Sequence, residues 1–172
     1  MLHFVVGTKA QFIKLVPLMY QLQKEKVAYN LVNLSQHGSI TAQIIEDFKL
    51  KPIHNFSHEN NIIVATYFGA FKFTVKYLIV TIKGRKYLLN NYFQDDKNGL
   101  VIIHGDTLST LIGLSLGKRT GLQVALVEAG LTSRKLFNPF PVEMIRRISE
   151  RYSNYLFSPG DAAERNLINK CH

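Results

Sequence analysis

The sequence predicts an α/β fold, a three-layer domain with a mostly parallel sheet and helices on both faces. Three observations predict it. Short, fully apolar runs recur along the 172 residues. Segments with helical spacing of apolar residues separate these runs. Small and polar residues stand where each run ends. Strand, loop, helix and strand in repetition make parallel βαβ units, and right-handed crossovers place helices on both faces of a twisted sheet.

Leu2–Val6 reads as the first strand, and Gly7-Thr8-Lys9 turns the chain. Gln11–Lys26 carries Phe12, Leu15, Val16, Met19 and Leu22 at a helical period, with Pro17 inside it as a kink or a shifted start. Tyr29–Leu34 is the second strand, followed by the loop Ser35-Gln36-His37-Gly38. Ser39 or Thr41 caps a helix running to Lys49, and an irregular stretch extends from Lys51 through Asn61. Leu100–Ile103 is a short apolar strand, ended by His104-Gly105-Asp106-Thr107 and followed by a helix to about Arg119. Leu122–Val127 is another, ended by Glu128-Ala129-Gly130. A loop carrying Asn138-Pro139-Phe140-Pro141 leads to a helix over Val142–Tyr152. Tyr155–Phe157 is the last strand, with Asp161 as a candidate cap for the final helix.

Ile62–Ile82 is long and apolar enough to suggest a membrane span, yet Lys72 and Lys76 lie inside it. A central lysine costs about 2.5–3.5 kcal/mol on insertion. At about 100° per residue, Lys72, Lys76, Lys83 and Lys86 fall on one stripe of a helix. The favoured reading is a helix buried on the sheet that also meets a second subunit, a homodimer contact. Contact with an acidic membrane surface ranks second and a true span last.

Composition narrows the class. Hydrophobic residues at 47% and charged residues at 19% describe an ordinary globular chain. The single cysteine, Cys171, excludes a disulfide framework and a cysteine-based zinc site, and it fits a reducing cytoplasm. The net charge of +9 is compatible with phosphorylated ligands. No dense Lys/Arg run with interleaved aromatics is present, so nucleic acid ranks low. Met1–Val6 is too short and too quickly interrupted for a signal peptide. Without internal repeats or a linker, residues 1–172 read as one domain.

Ligands of open parallel sheets bind at the carboxyl ends of the strands. Gly7-Thr8, His104-Gly105-Asp106 and Glu128-Ala129-Gly130 all fall there. Asp106 reads either as a helix cap or as a carboxylate at the ligand rim. Glu128, directly after an apolar strand, reads as a rim ion pair or as a second carboxylate beside Asp106; neighbouring carboxylates can divide acid and base work. Glu143 reads first as an acid favoured by a helix N-terminus. Lys9, near a helix start, is either a solvated lysine or a phosphate ligand. His37 and His104 lie in rim loops, whereas His54 and His58 read as surface residues rather than metal ligands. The Gly-x-Gly-x-x-Gly pattern is absent, so a dinucleotide is not expected; neither is any other cofactor or metal.

In order, these loops resemble one family. Val6-Gly7-Thr8-Lys9 is similar to its Phe-Gly-Thr-Arg opening, and Ser35-Gln36-His37 to its Gly-Gln-His loop. His104-Gly105-Asp106-Thr107 and Glu128-Ala129-Gly130-Leu131 match its His-Gly-Asp-Thr and Glu-Ala-Gly-Leu motifs. Pro139-Phe140-Pro141-Val142-Glu143, with Arg146 and Arg147, resembles its Pro-Phe-Pro-Glu-Glu helix start, and Phe157-Ser158-Pro159 its Phe-Ala/Ser-Pro. The family is the non-hydrolysing UDP-N-acetylglucosamine 2-epimerases with their hydrolysing relatives, and the resemblance covers essentially the whole chain.

The resemblance implies a GT-B architecture, two Rossmann-like domains facing across a cleft that holds a UDP-N-acetylhexosamine, with this chain as the N-terminal domain. The second domain, holding most nucleotide contacts and a catalytic histidine, lies outside these residues, so this polypeptide alone is expected to have no turnover. It further implies a cytoplasmic isomerase of bacterial cell-envelope polysaccharide biosynthesis. Asp106, Glu128 and Glu143 are the implied catalytic acids. Gly7, Thr8, Lys9, Gln36, His37, His104 and Arg146 are the implied substrate-binding residues. Three positions depart from the pattern: Val142 stands for the first Glu of Pro-Glu-Glu, Thr132 for the Arg after Glu-Ala-Gly-Leu, and Ala10-Gln11 for Pro-Glu. The rival expectations are a hydrolysing epimerase that releases N-acetylmannosamine, a non-catalytic sugar-nucleotide binder, and a membrane-associated glycosyltransferase subunit.

Overall fold

A computed structural model describes residues 1–34, 38–57, 75, 79–80, 82–133 and 140–169, with backbone only for 38–41, 56 and 57. The elements run β1 (Leu2–Val6), α1 (Lys9–Lys24), β2 (Tyr29–Asn33), α2 (Gly38–Asp47), β3 (Asn55–Ser57), α3 (Arg85–Tyr92), β4 (Leu100–His104), α4 (Leu108–Thr120), β5 (Gln123–Val127), α5 (Val142–Tyr152), β6 (Tyr155–Phe157) and α6 (Asp161–Ile168). The strands form one six-stranded sheet in the order β3-β2-β1-β4-β5-β6. Every pairing is parallel. This is the order of a doubly wound nucleotide-binding sheet, and the reversal of direction falls between β1 and β4.

Period-two alternation builds the layers. In β1, Phe4 and Val6 join Phe12, Leu15 and Met19 of α1 in one core. Val5, on the other face, joins Leu88 and Leu89 of α3 and Ile112 and Leu116 of α4. In β4, Ile102 belongs to the first core, and Val101 and Ile103 to the second. Strands buried on both faces read as continuous apolar runs, which is why β1, β4 and β5 are legible in the sequence. Pro17 is accommodated inside α1.

Five expectations need correction. Helix α2 already includes Gly38, so Ser39 and Thr41 lie inside it rather than capping it. Residues Asn55–Ser57, taken as irregular, form the edge strand β3, paired with Leu31–Asn33. Val75, Ile79, Val80 and Ile82 are helical, but the helix does not carry on to Lys86. Lys83 bends the chain and Gly84 becomes the N-cap of α3. Lys83 and Lys86 therefore share no helical stripe; Lys72 and Lys76 lie outside the described residues. Asp106 caps nothing, because Thr107 holds the N-cap position of α4. Gly160, not Asp161, caps α6, and Asp161 sits in its first turn. Among the described residues no helix is long and apolar enough to cross a membrane.

At the amino ends of the strands a polar cluster ties the chain start to the β4 approach. The Met1 ammonium donates to Asp96 Oδ2 at 2.7 Å, and His3 Nε2 donates to the same oxygen at 3.0 Å. Asn30 Nδ2 donates to His3 Nδ1 at 3.2 Å and to the Tyr92 carbonyl at 3.0 Å. A carbonyl can only accept, so this fixes the Asn30 amide and puts the His3 proton on Nε2. Burial holds the His3 pKa below its ordinary value, against the pull of Asp96. Burial would raise Asp96, but the ammonium, the Asn98 N–H and His3 outweigh it and bring it from 3.8 to about 2. Asp96→Asn is expected to destabilise the fold by about 1–3 kcal/mol at neutral pH. A folded pKa below the unfolded one contributes stability above the ordinary value, and that stability is lost as pH falls through the folded one. The variant's deficit in thermal midpoint should therefore shrink below the ordinary carboxylate range. An unchanged midpoint at neutral pH would remove this cluster from the account of stability.

Candidate functional site

The loops after β1, β4 and β5 lie side by side because those strands are neighbours. Their junction is the β1–β4 reversal. Gly7 begins the first loop, and a Cβ there would lie 2.3 Å from Ser109 Cβ at the start of α4. Only glycine lets the two helix starts approach so closely. Thr8 caps α1 by accepting from Gln11 N at 3.2 Å. Gln11, only 3% exposed, is the clasp between the loops. Its Oε1 accepts from Gly7 N at 3.1 Å and Ser109 Oγ at 2.8 Å, and its Nε2 donates to the His104 carbonyl at 2.7 Å and Thr107 Oγ1 at 2.8 Å. Gly7→Ala should force these helix starts apart and cost about 1–3 kcal/mol, as overpacking does. Denaturant titration measures this; a loss indistinguishable from zero would mean that Ser109 yields freely.

Glu128 leaves β5 with φ +68, the left-handed region that a non-glycine residue rarely occupies. Two hydrogen bonds at Gly130 hold the strained turn in place. The Gly130 N–H donates to Glu150 Oε1 of α5 at 2.8 Å, and the Gly130 carbonyl accepts from Asn166 of α6 at 2.9 Å. The Glu128 carboxylate is thereby turned back across the rim. Lys14 Nζ of α1 donates to its oxygens at 2.7 and 2.8 Å. His104 Nε2 lies 3.1 Å from Oε2. His104 is 5% exposed, and among the described residues its Nδ1 has no hydrogen-bond partner. Burial, assisted by the Lys14 charge, lowers its pKa against the pull of Glu128 and Asp106, so it is held as a neutral imidazole.

Asp106, freed from capping, pairs with Arg146 Nη2 of α5. Arg146 Nη1 in turn lies 3.7 Å from Glu143 Oε2. Glu143 is fully buried. Its Oε1 accepts from Thr132 Oγ1 at 2.7 Å and its Oε2 from Ser133 N at 3.0 Å, while Arg147 Nε reaches Oε1 at 3.3 Å. Burial would raise its pKa, but these hydrogen bonds prevail and hold it at about 2. A carboxylate so committed is poorly suited to exchange protons. Its geometry is that of a residue positioning the 131–133 loop and Arg146.

Two ion clusters result, Lys14–Glu128–His104 and Asp106–Arg146–Glu143, and the charge of Asp106 is felt at His104. Of the expected site residues, Gly7, Thr8, His104, Asp106, Glu128, Glu143 and Arg146 gather on this rim. Lys9 is exposed at the first position of α1, and no salt bridge among the described residues engages it. Gln36 and His37 lie outside the described residues, as does His58. Val142 is half-buried at the start of α5. Sequence reasoning missed Lys14 and Gln11. Gln11 carries a signal, the Thr-x-x-Gln spacing of a capping box. Lys14 carries none, since its partner is 114 residues away. Among the described residues no group of three His, Cys, Asp or Glu side chains could hold a metal ion.

The sequence profile of the family described as UDP-N-acetylglucosamine 2-epimerase matches residues 21–171. Among curated proteins, the chain is 29% identical to the UDP-N-acetylglucosamine 2-epimerase of Bacillus subtilis over 95% of its own length and 40% of the relative's. With that of Methanocaldococcus jannaschii the figures are 30%, 97% and 42%. The chain thus spans about two-fifths of the relatives it matches. Among solved structures, a UDP-N-acetylglucosamine 2-epimerase superposes with a TM-score of 0.79 at 26% identity, covering 99% of this chain and 45% of that one. The M. jannaschii enzyme in complex with UDP-GlcNAc and UDP gives 0.74 at 29% identity, covering 99% and 43%.

Proposed function

From the premise that this chain belongs to the UDP-N-acetylglucosamine 2-epimerase family, we propose that it forms the N-terminal half of the cleft of an enzyme interconverting UDP-GlcNAc and UDP-ManNAc. The observation that carries the proposal is the rim itself. It presents two carboxylates, Asp106 and Glu128, on adjacent loops, each held by a cation from another helix.

The C2 proton of a hexopyranose is not beside a carbonyl, so a base cannot remove it easily. If the C1–O bond to UDP breaks, positive charge grows at C1 and the C2 proton becomes acidic. One carboxylate takes that proton as the C1–C2 double bond forms, and UDP departs with the electrons of the C1–O bond. The other carboxylate steadies the developing charge. Returning a proton to the opposite face of C2, with UDP re-adding at C1, inverts the centre. In this reading Asp106 and Glu128 do the acid–base and charge-stabilising work, and Lys14 and Arg146 set their directions. His104, neutral and buried, orients Glu128. Glu143 acts by positioning Arg146. Lys9 at the start of α1 is offered to the nucleotide phosphates. Gln36 and His37 belong to the substrate contacts by resemblance. The other half of the cleft is a second domain, and a nucleotide-sugar substrate fits a reaction in the cytoplasm.

The test uses the chain joined to the C-terminal domain of a two-domain relative, with UDP-GlcNAc in deuterated water and C2 followed by NMR. Deuterium at C2 with UDP-ManNAc is the expected result, and the 172-residue chain alone should give none. Free UDP with N-acetylmannosamine would instead assign it to the hydrolysing branch. Val142, an aliphatic residue where the family pattern has a carboxylate, favours a second reading, a sugar-nucleotide binder without turnover. An inert protein in which Val142→Glu restores no exchange would replace the enzymatic proposal with that one.

A further inference from the structure

On the β3 side of the sheet, toward the amino ends of its strands, lies a cavity of about 470 Å³ that the epimerase chemistry does not use. Asn30, His54, Asn55, Asn90, Asn91, Tyr92 and Gln94 line it. Its place follows from the register. Asn30 pairs with His3 near the start of β1, and Asn55 opens β3. The carboxyl end of α3 closes the other side. The rim carboxylates stand at the opposite edge of the sheet, after the carboxyl ends of β4 and β5.

The chemistry of the lining is unusually uniform. Five of the seven residues are carboxamides, and none is Asp, Glu, Lys or Arg. The buried floor is Asn30, 1% exposed. Both of its amide protons have partners, His3 Nδ1 and the Tyr92 carbonyl, yet among the described residues its Oδ1 accepts no hydrogen bond. Leaving such an acceptor unmade costs about 1–3 kcal/mol. Asn55, Asn90 and Gln94 are exposed, and among the described residues their side chains make no hydrogen bond. Their carboxamides each offer a donor and an acceptor at the mouth. Asn91, by contrast, spends one amide proton on the Tyr87 carbonyl at 2.8 Å.

We propose that this cavity is a second binding site, for a small neutral polyhydroxyl molecule the size of a monosaccharide. Each hydroxyl both donates and accepts, which is what a ring of carboxamides answers. A cation finds no carboxylate here. An anion meets the carboxyl end of α3, the negative end of its dipole, and no lysine or arginine. The volume lies within the roughly 300–1,000 Å³ of small-molecule sites. The proposal does not depend on the catalytic reading, because the two sites share no residue.

The test is a titration of the isotope-labelled chain with D-glucose and N-acetyl-D-glucosamine, with inorganic phosphate as the control. The side-chain amide resonances of Asn30, Asn55, Asn90 and Gln94 are expected to shift saturably with the sugars and not with phosphate. Resonances of Gly105 and Gly130 should stay in place. Asn90→Leu and Asn55→Leu, both at exposed positions, should together weaken the sugar roughly tenfold, as losing two hydrogen bonds would. Should that pair disturb folding, His54→Ala at a third exposed position is expected to weaken binding by itself. No saturable shift, a shift confined to the rim loops, phosphate competing with the sugar, or binding indifferent to all three substitutions would each overturn the proposal and leave a water-filled cavity.

Discussion

Glu128→Gln, in a polypeptide carrying both halves of the cleft, is expected to lower kcat for C2 exchange by about 10²–10⁴-fold, with little change in KM. The substitution keeps the shape of the side chain and removes its charge and its capacity to take a proton. Lys14 and His104 remain to hold the amide, so the loop should keep its place. The positive φ at residue 128 is unaffected, because glutamine meets the same backbone strain as glutamate. A fold difference is therefore not expected, and circular dichroism serves as the control. Lys14→Met separates positioning from chemistry. It should lower kcat less and shift the pH profile, because it removes the charge that assists burial in lowering the pKa of His104. If Glu128→Gln retains activity within a factor of ten of the parent, the assignment of acid–base work to this carboxylate fails.

The parts of this site that the sequence reveals share one physical cause. Strands β1, β4 and β5 are buried on both faces, so they appear as apolar runs, and the first small or polar residue after each run marks the rim. Gly7, His104, Asp106 and Glu128 are visible for that reason. The edge strand β3 is invisible because Asn-Phe-Ser holds a single apolar residue, whereas β6, equally short and also at an edge, reads Tyr-Leu-Phe. Helix α3 escapes notice because the lysine spacing of the apolar stretch before it continues through Lys83 and Lys86, across the break at Gly84. Lys14 depends on a partner 114 residues away, which no local pattern records, and the capping-box spacing of Gln11 says nothing of its bond to the His104 carbonyl 93 residues on. Asp106 shows the reverse case. Local rules offer capping or rim chemistry, and Thr107 takes the cap, leaving the carboxylate to Arg146.

Glu143→Ala is expected to destabilise the fold by about 3 kcal/mol, because it removes a fully buried carboxylate that accepts hydrogen bonds from Thr132 and Ser133 and gathers two partly exposed arginines. Without the carboxylate the Ser133 N–H loses the bond to Glu143 Oε2, and Arg146 and Arg147 lose the charge that gathers them. Acid should reproduce part of this loss. Folding brings the Glu143 pKa from 4.5 to about 2. A depressed folded pKa means that the unfolded chain binds the proton first. The stabilisation is thus complete above the ordinary glutamate range and disappears as pH falls toward the folded value. Its size is on the order of 3 kcal/mol. Asp96 titrates in the same window at the other end of the strands, where it shares no partner with Glu143. The two effects should therefore add. Urea titrations from neutral pH down through this window should give a steep slope for the parent, shallower slopes for Glu143→Gln and for Asp96→Asn, and the shallowest for both together. An acid slope unchanged in Glu143→Gln would show that the 131–133 loop does not depend on this carboxylate. Arg146 would then need another support to hold Asp106 in place.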